Sequence, residues 1–348
     1  MQSIEQFQER VRAAAADQTP LRIRGGGTKD WYGQRLEGEI LDTRGYAGII
    51  DYEPTELVIT ARCGTPLAEI EAVLADRNQM LAFEPPHFGA GATLGGAIAA
   101  GLAGPRRAAS GGVRDFVLGA KLLDGKGDVL GFGGQVMKNV AGYDVSRLLA
   151  GSLGTLGLLL EVSVKVLPKP FAETTLCLEL GQAEAIRRLN EWGGQPLPVS
   201  SSCWHNGRLW LRLSGAQAAV DAAVHLIGGE VVASPACFWE ELREQRLPFF
   251  GGDDALWRLS LPSTTGVLQL GGVQLIEWGG AQRWLRSDAD AASIRRSVAA
   301  AGGHATLFRG GDKSVGVFQP LAPGIARIHE RLKQSFDPAH IFNPGRMF

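Results

Sequence analysis

The chain is short of several things that would direct its reading elsewhere. It has four cysteines in 348 residues, Cys63, Cys177, Cys203 and Cys237. No two stand in C-x-x-C spacing, so neither an iron–sulfur cluster nor a structural zinc site is implied within the chain. Reduced, buried thiols of an intracellular protein are the expectation. Neither sign of charge is in excess: 35 Lys and Arg against 36 Asp and Glu leave a net charge of -1, which offers nothing to nucleic acid or to an anionic membrane. Long apolar runs are missing. The uncharged stretch 148–160 is too short and too glycine-rich to span a bilayer. The opening residues, with Glu5, Glu9 and Arg10, have no apolar core of a signal peptide. A cytoplasmic protein is expected, with attachment at the inner membrane through partner subunits left open. Also absent are a G-x-G-x-x-G leading into a helix, a G-x-x-x-x-G-K-[ST] loop, G-x-S-x-G and H-E-x-x-H. The six histidines are too dispersed for a local metal motif, so no metal is expected.

What the chain has in quantity is glycine. There are 47 in all, and 18 lie between Gly89 and Gly157, far above ordinary density. Without a Cβ, a backbone amide can approach a ligand closely. Two loops stand out. Arg24-Gly25-Gly26-Gly27-Thr28-Lys29 follows the strand-like Leu21-Arg22-Ile23-Arg24, and successive amides in such a turn can nest an anion. Thr93-Leu94-Gly95-Gly96 is the second. Either loop alone is an ordinary tight turn. Together, each joined to a strand, they point to a diphosphate. Valine at both Gly95 and Gly96 is expected to abolish binding by blocking the amides.

Helical spacing of Ile4, Phe7 and Val11 predicts a helix over 3–16. Thr65-Pro66 reads as an N-cap with proline at N1, opening a helix to Arg77. The segments 117–123 and 129–132 flank Asp124-Gly125-Lys126-Gly127 as a hairpin. Val162, Val164 and Val166 alternate with polar residues in a strand that ends at Pro168, a domain boundary. Beyond Phe171 the glycine density falls. Helices are expected at 182–192, 215–227 and 235–246, and strands at 208–213, 256–261 and 273–278. A helix from 288 ends at Gly302-Gly303, and a last one covers 325–336, followed by turns at Asp337-Pro338 and Asn343-Pro344-Gly345.

The run Val113-Arg114-Asp115-Phe116-Val117-Leu118-Gly119 resembles the vanillyl-alcohol-oxidase-type flavoenzymes with a PCMH-type FAD domain. So do Val136-Met137-Lys138-Asn139-Val140-Ala141-Gly142-Tyr143-Asp144, the Gly151-Ser152-Leu153-Gly154-Thr155-Leu156-Gly157 that follows, and the ending Phe342-Asn343-Pro344-Gly345-Arg346. Tyr52-Glu53-Pro54, Glu84-Pro85-Pro86-His87, Gly104-Pro105-Arg106-Arg107 and Leu247-Pro248-Phe249-Phe250 are similar to FAD-binding subunits of bacterial glycolate-oxidising complexes. The resemblance implies an α+β fold: a PCMH-type FAD domain of two α/β subdomains over 1–170, a smaller α+β cap over 171–305, and a segment 306–348 that returns to the FAD domain.

It implies FAD as the cofactor, with Gly25, Gly26, Gly27, Thr28 and Lys29 on the diphosphate. Thr93, Leu94, Gly95, Gly96 and Ala99 map to the second loop, with Gly111 beyond it. Gly154, Gly157 and Leu158 pass amides under the cofactor, and Pro85 lines the flavin side. Some relatives carry a flavin-linked histidine in the first loop. Thr28 and Lys29 stand there in this chain, which implies non-covalent FAD. Leu153, Ala97, Ala100 and Gly101 replace polar family residues, so backbone contacts persist while side-chain donors are lost.

The implied activity is oxidation of a 2-hydroxy acid, glycolate, to glyoxylate. The implied partners are a second FAD-binding catalytic subunit and an iron–sulfur subunit. Oxidation needs a base for the hydroxyl and a cation for the carboxylate. His304 is the candidate base, or else a hydrogen-bonded histidine at a strand start. Lys138 and Tyr143 are candidates to approach the flavin. Arg106 and Arg107 are candidates to bind a carboxylate or a partner. A stand-alone FAD-dependent dehydrogenase, for D-lactate for example, and a non-catalytic assembly subunit stay open as alternatives.

Overall fold

A computed structural model describes residues 3–134 and 144–347. The motif from Val136 to Tyr143, with Lys138 and Tyr143, lies outside the described residues. The chain divides into two units: Met1–Ala103, Gly112–Pro168 and Pro320–Phe348 form the first, Gly104–Gly111 and Lys169–Gln319 the second.

The first unit opens with a helix, Ile4–Asp17, in which the Ser3 side chain and Gln6 form a capping box. Phe7, Val11 and Ala14 recur along one face and are buried, which is how a short helix gains most of its stability. Strands β1 (Leu21–Arg24) and β2 (Glu39–Asp42) pair in parallel. The C-terminal segment joins them through a parallel bridge from Leu21 to Phe342. A five-stranded antiparallel sheet follows, in the order β3 (Ile49–Glu53), β4 (Val58–Arg62), β8 (Leu158–Lys165), β6 (Val117–Leu123), β7 (Val129–Gly133). β8 is its central strand and is buried along most of its length. Where polar residues enter, they pair across strands: Thr60 and Ser163 share a hydrogen bond of 2.8 Å, and Lys121 bridges Glu161 at 2.8 Å. β5 (Gln79–Met80) and β9 (Leu167–Pro168) make a short antiparallel pair.

The expected cap at Thr65 is not formed. The helix is Leu67–Ala75 with Pro66 at its N-cap. Thr65 instead accepts from the Gly48 amide at 2.9 Å and donates to the Gly48 carbonyl at 3.2 Å. Its hydroxyl is thus spent on a neighbouring turn rather than on the helix.

The second unit is built on one eight-stranded antiparallel sheet. Its strands are β10 (Ala172–Glu179), β11 (Val199–His205), β12 (Arg208–Gly215), β13 (Glu230–Val231), β14 (Leu256–Ser260), β15 (Val273–Glu277), β16 (Gln282–Arg286) and β17 (His304–Arg309), in the order 13-10-12-11-15-16-14-17. Helices Gln182–Gly193 and Gln217–Ile227 pack on Leu176, Leu209, Leu211 and Leu213. Helix Ala291–Ala300 covers Trp257, Leu259, Leu285 and Leu307. Two expected boundaries change. β17 runs through position 306 and hydrogen-bonds to β14, so the return to the first unit comes after Gln319 rather than after 305. The segment Gly104–Gly111 belongs to the second unit. Arg106 donates to Glu173 at 2.8 Å, Arg107 lies 4.5 Å from the Trp278 ring, and the Trp278 indole donates to the Gly104 carbonyl at 3.1 Å.

Candidate functional site

Two cavities in the first unit, of about 600 and 420 Å³, share Ile23, Gly25, Gly96, Ala99, Leu153 and Asn343 in their walls and so form one groove. Its outer part is cationic: Arg22, Arg24, Lys29 and Arg346 stand there with one carboxylate, Asp30. Arg22 and Arg24 alternate along β1 and both reach Asp30, Arg24 at 2.9 Å. Lys29 donates to the His87 carbonyl at 3.2 Å and lies 5.6 Å from the Phe88 ring. Arg346 donates to the Lys29 and Arg35 carbonyls, and burial lowers its pKa to about 10, which leaves it charged at neutral pH. The inner part is mostly apolar, with Ile23, Cys63, Leu153, Leu158 and Leu159.

Among the candidate cofactor residues, Gly25, Gly26, Gly27, Thr28 and Lys29 line the outer cavity with Thr93. Gly96 and Ala99 belong to both cavities, and Gly95, Gly154, Gly157 and Leu158 line the inner one. Three candidates are elsewhere. Leu94 is buried in the core of the unit, Pro85 is buried outside these walls, and Gly111 belongs to the second unit. The second loop does not join a strand. It enters a helix, Leu94–Ala100, with Thr93 as its N-cap accepting from the Gly96 amide at 3.3 Å.

The glycines divide by what a side chain would meet. A Cβ on Gly26 would stand 1.5 Å from the Gly91 carbonyl oxygen, and one on Gly95 would stand 2.7 Å from the Cys63 Cβ. These two are required by backbone packing. At Gly96 a Cβ would meet only the Thr93 hydroxyl, at 3.2 Å, and would project into the groove. Glycine density therefore has two causes, backbone packing and an open groove wall.

The groove fits an anionic dinucleotide. Among the described residues the amides of Gly26, Gly27 and Thr28 donate no hydrogen bond within the chain. The buried Arg22 Nε has no partner, an arrangement that is costly unless an acceptor arrives. Among the described residues no histidine lines either cavity, and Cys63 is the one thiol. Burial pushes that thiol up to about 12, so it is not a nucleophile at neutral pH.

Sequence reasoning missed Arg22, Thr43, Cys63, Asn343 and Arg346 as groove residues. The signal for Arg22 was the L-R-I-R pattern placed just before the first loop. Asn343 and Arg346 lay in a motif read as a turn and as part of the family resemblance, with no site role given to either. His304 begins β17 opposite Ser260 in the second unit and is exposed. Partial desolvation and then the Arg258 guanidinium hold its pKa below the ordinary value. Arg106 is buried against Glu173 rather than turned to a substrate carboxylate. Among the described residues no cluster of His, Cys, Asp and Glu is placed to hold a metal, and no helix is long and apolar enough to cross a membrane.

Residues 1–133 match the family described as FAD binding domain. The class is that of the FAD-dependent oxidoreductases. The chain is 53% identical over 340 residues to glycolate oxidase subunit GlcE of Escherichia coli (strain K12), across 98% of this chain and 96% of that one. It belongs to the GlcE family of glycolate oxidase subunits. Glycolate oxidase subunit GlcD of Bacillus subtilis (strain 168) is 35% identical over 129 residues, 37% of this chain and 27% of that protein. The structure of p-cresol methylhydroxylase superposes with a TM-score of 0.74 at 16% identity, over 99% of this chain and 87% of that one, which shows the shared fold.

Proposed function

We propose that this chain is the second FAD-binding subunit of a complex that oxidises glycolate to glyoxylate. In this reading it works beside an FAD-binding catalytic subunit and passes electrons to an iron–sulfur subunit. The observation that carries it is the identity with a glycolate oxidase subunit over nearly the full length of both chains. The groove supports it. Arg22, Lys29 and the amides of Gly26, Gly27 and Thr28 would hold the diphosphate. Ile23, Leu153 and Leu158 would exclude water from the inner part. FAD, when bound, supplies the two-electron acceptor for a CH–OH carbon. Non-covalent binding is part of the proposal, because among the described residues the groove walls carry no histidine and no thiolate. His304 is retained as the candidate base: with its pKa below the ordinary value it is neutral at pH 7 and able to accept a proton. Cytoplasmic placement also stays within the proposal.

The test is to purify the full chain alone and with its partners. Flavin absorbance releasable by acid, bleached by glycolate only when partners are present, is expected. Bleaching of the lone chain by glycolate or D-lactate would favour a stand-alone dehydrogenase. A colourless chain that does not take up FAD would overturn the proposal in favour of an assembly role.

A further inference from the structure

We propose that Asn343 is a positioning residue for the cofactor: its side-chain amide sets the spacing of the groove between β1 and the 151–157 loop. The inference rests on the reading that this groove holds FAD. Asn343 is one of the six residues common to both cavities. Both ends of its amide are used. Oδ1 accepts from the Ile23 amide at 2.8 Å, and Nδ2 donates to the Leu153 carbonyl at 2.6 Å. Its own backbone N–H donates to the Leu21 carbonyl at 2.8 Å, which fixes its height along β1. One side chain therefore ties a strand near the start of the chain to a loop in its middle.

Each tied residue is next to a proposed cofactor contact. Ile23 lies two residues before Gly25, and Leu153 precedes Gly154. Leu153 is itself in the left-handed region, at φ 52, and donates its amide to the Ala99 carbonyl at 2.8 Å. Its carbonyl direction is thus held by Asn343 against a backbone that leucine seldom adopts. Gly154 belongs to the same device: a Cβ there would stand 2.7 Å from the Asn343 Nδ2, so only glycine leaves room for the asparagine.

A second link joins the same loop to the C-terminal segment that carries Asn343. The buried Lys333 ammonium donates to the carbonyls of Thr155 at 2.7 Å and Phe342 at 2.8 Å, and to Asp337 at 2.6 Å. Lys333 is absent from the groove walls. This pair separates two roles. Lys333 holds the loop to the C-terminal segment, and Asn343 extends that tie to β1 at the surface that meets the ligand.

The experiment compares Asn343→Ala, Asn343→Asp and Lys333→Met in the full chain. Three quantities are read: FAD affinity by flavin fluorescence, visible circular dichroism of bound flavin, and thermal midpoint without FAD. Asn343→Ala is expected to weaken FAD by about tenfold or more and to change the dichroism, with a smaller loss of midpoint than Lys333→Met. Asn343→Asp keeps the acceptor for Ile23 but sets a carboxylate against the Leu153 carbonyl. Its affinity is expected to recover as pH falls, when the protonated acid can donate. Wild-type affinity and dichroism in Asn343→Ala would overturn the proposal, as would an Asn343→Asp affinity that does not change with pH. Amide hydrogen exchange of the FAD-free chain keeps this apart from the fate of the FAD reading. Faster exchange in peptides covering 21–27 and 151–158 of Asn343→Ala supports the tie even if the wild type takes no FAD. Unchanged exchange there overturns it.

Discussion

In the second unit the arginines serve the fold. Arg106 is paired with Glu173, Arg107 lies over Trp278, Arg212 over Trp239, and Arg283 donates to the carbonyls of Thr265, Gly266 and Gly280. In the first unit Arg22, Arg24 and Arg346 converge with Lys29 on one groove against a single carboxylate. Buried arginine nitrogens without partners occur in both units, at Arg22 and at Arg295. Of these two, only Arg22 lies in the wall of the groove. The difference teaches that a cation count cannot find the site. What distinguishes it is a cluster of cations beside amides that the fold leaves unsatisfied.

One cation of the first unit breaks the pattern and gives the largest expected effect. Lys333 serves structure. Replacing it with methionine leaves Asp337, which is fully buried, without its countercharge. Removing one partner of such a pair costs about 3–5 kcal/mol. Denaturant unfolding is the measurement, and a loss below about 1 kcal/mol would mean that the pair does not anchor the C-terminal segment.

Neighbouring glycines sharpen the contrast next. Gly95→Ala forces a Cβ against Cys63 and is expected to cost about 1–3 kcal/mol of stability. Gly96→Val leaves the fold close to wild type but fills the groove, and FAD affinity should fall by at least about tenfold, or 1.4 kcal/mol. The double valine variant expected from sequence alone would confuse these two effects. Equal loss of stability in both single variants would show that Gly96 is a packing glycine too.

Substituting one arginine in each unit is the direct comparison. Arg22→Met should weaken FAD by about tenfold, and FAD-free stability should fall by about 1 kcal/mol or less, because Asp30 loses Arg22 but keeps its pair with Arg24. Arg107→Met should leave FAD affinity unchanged while costing about 0.5–1 kcal/mol through the lost contact with Trp278. The reverse outcome, read by flavin titration and unfolding of both variants, would dissolve the distinction between the units.

Local signals made part of this legible. The Ile4, Phe7 and Val11 spacing marked the first helix, and Asp124-Gly125-Lys126-Gly127 marked the β6–β7 hairpin, where the Asp124 side chain accepts from the Lys126 and Asp128 amides. β11 escaped notice because its Ser200, Ser201 and Ser202 are polar yet buried. Two of these serines contact Arg212 on the neighbouring strand, a partner that no local pattern reveals. The glycine loops were visible as candidates. Asn343 was not, because its partners Ile23 and Leu153 lie 320 and 190 residues away. A motif that looks like a turn when read locally is here a long-range tie.

The smallest effect concerns His304, which tests the second unit for chemistry. Desolvation and Arg258 lower its pKa in the folded chain, whereas the unfolded chain titrates near 6.5. Between the folded value and 6.5 the unfolded state binds more protons, so stability falls as pH drops through that window and is fully retained above it. His304→Asn should flatten this slope slightly, because the ring is exposed and solvent weakens the effect. The same variant distinguishes a structural histidine from a base. If His304 takes the glycolate proton, the assembled complex should lose rate on the acid side with a pKa below 6.5, and His304→Asn should abolish turnover. If the stability slope flattens and turnover persists, His304 is a structural histidine and not the base.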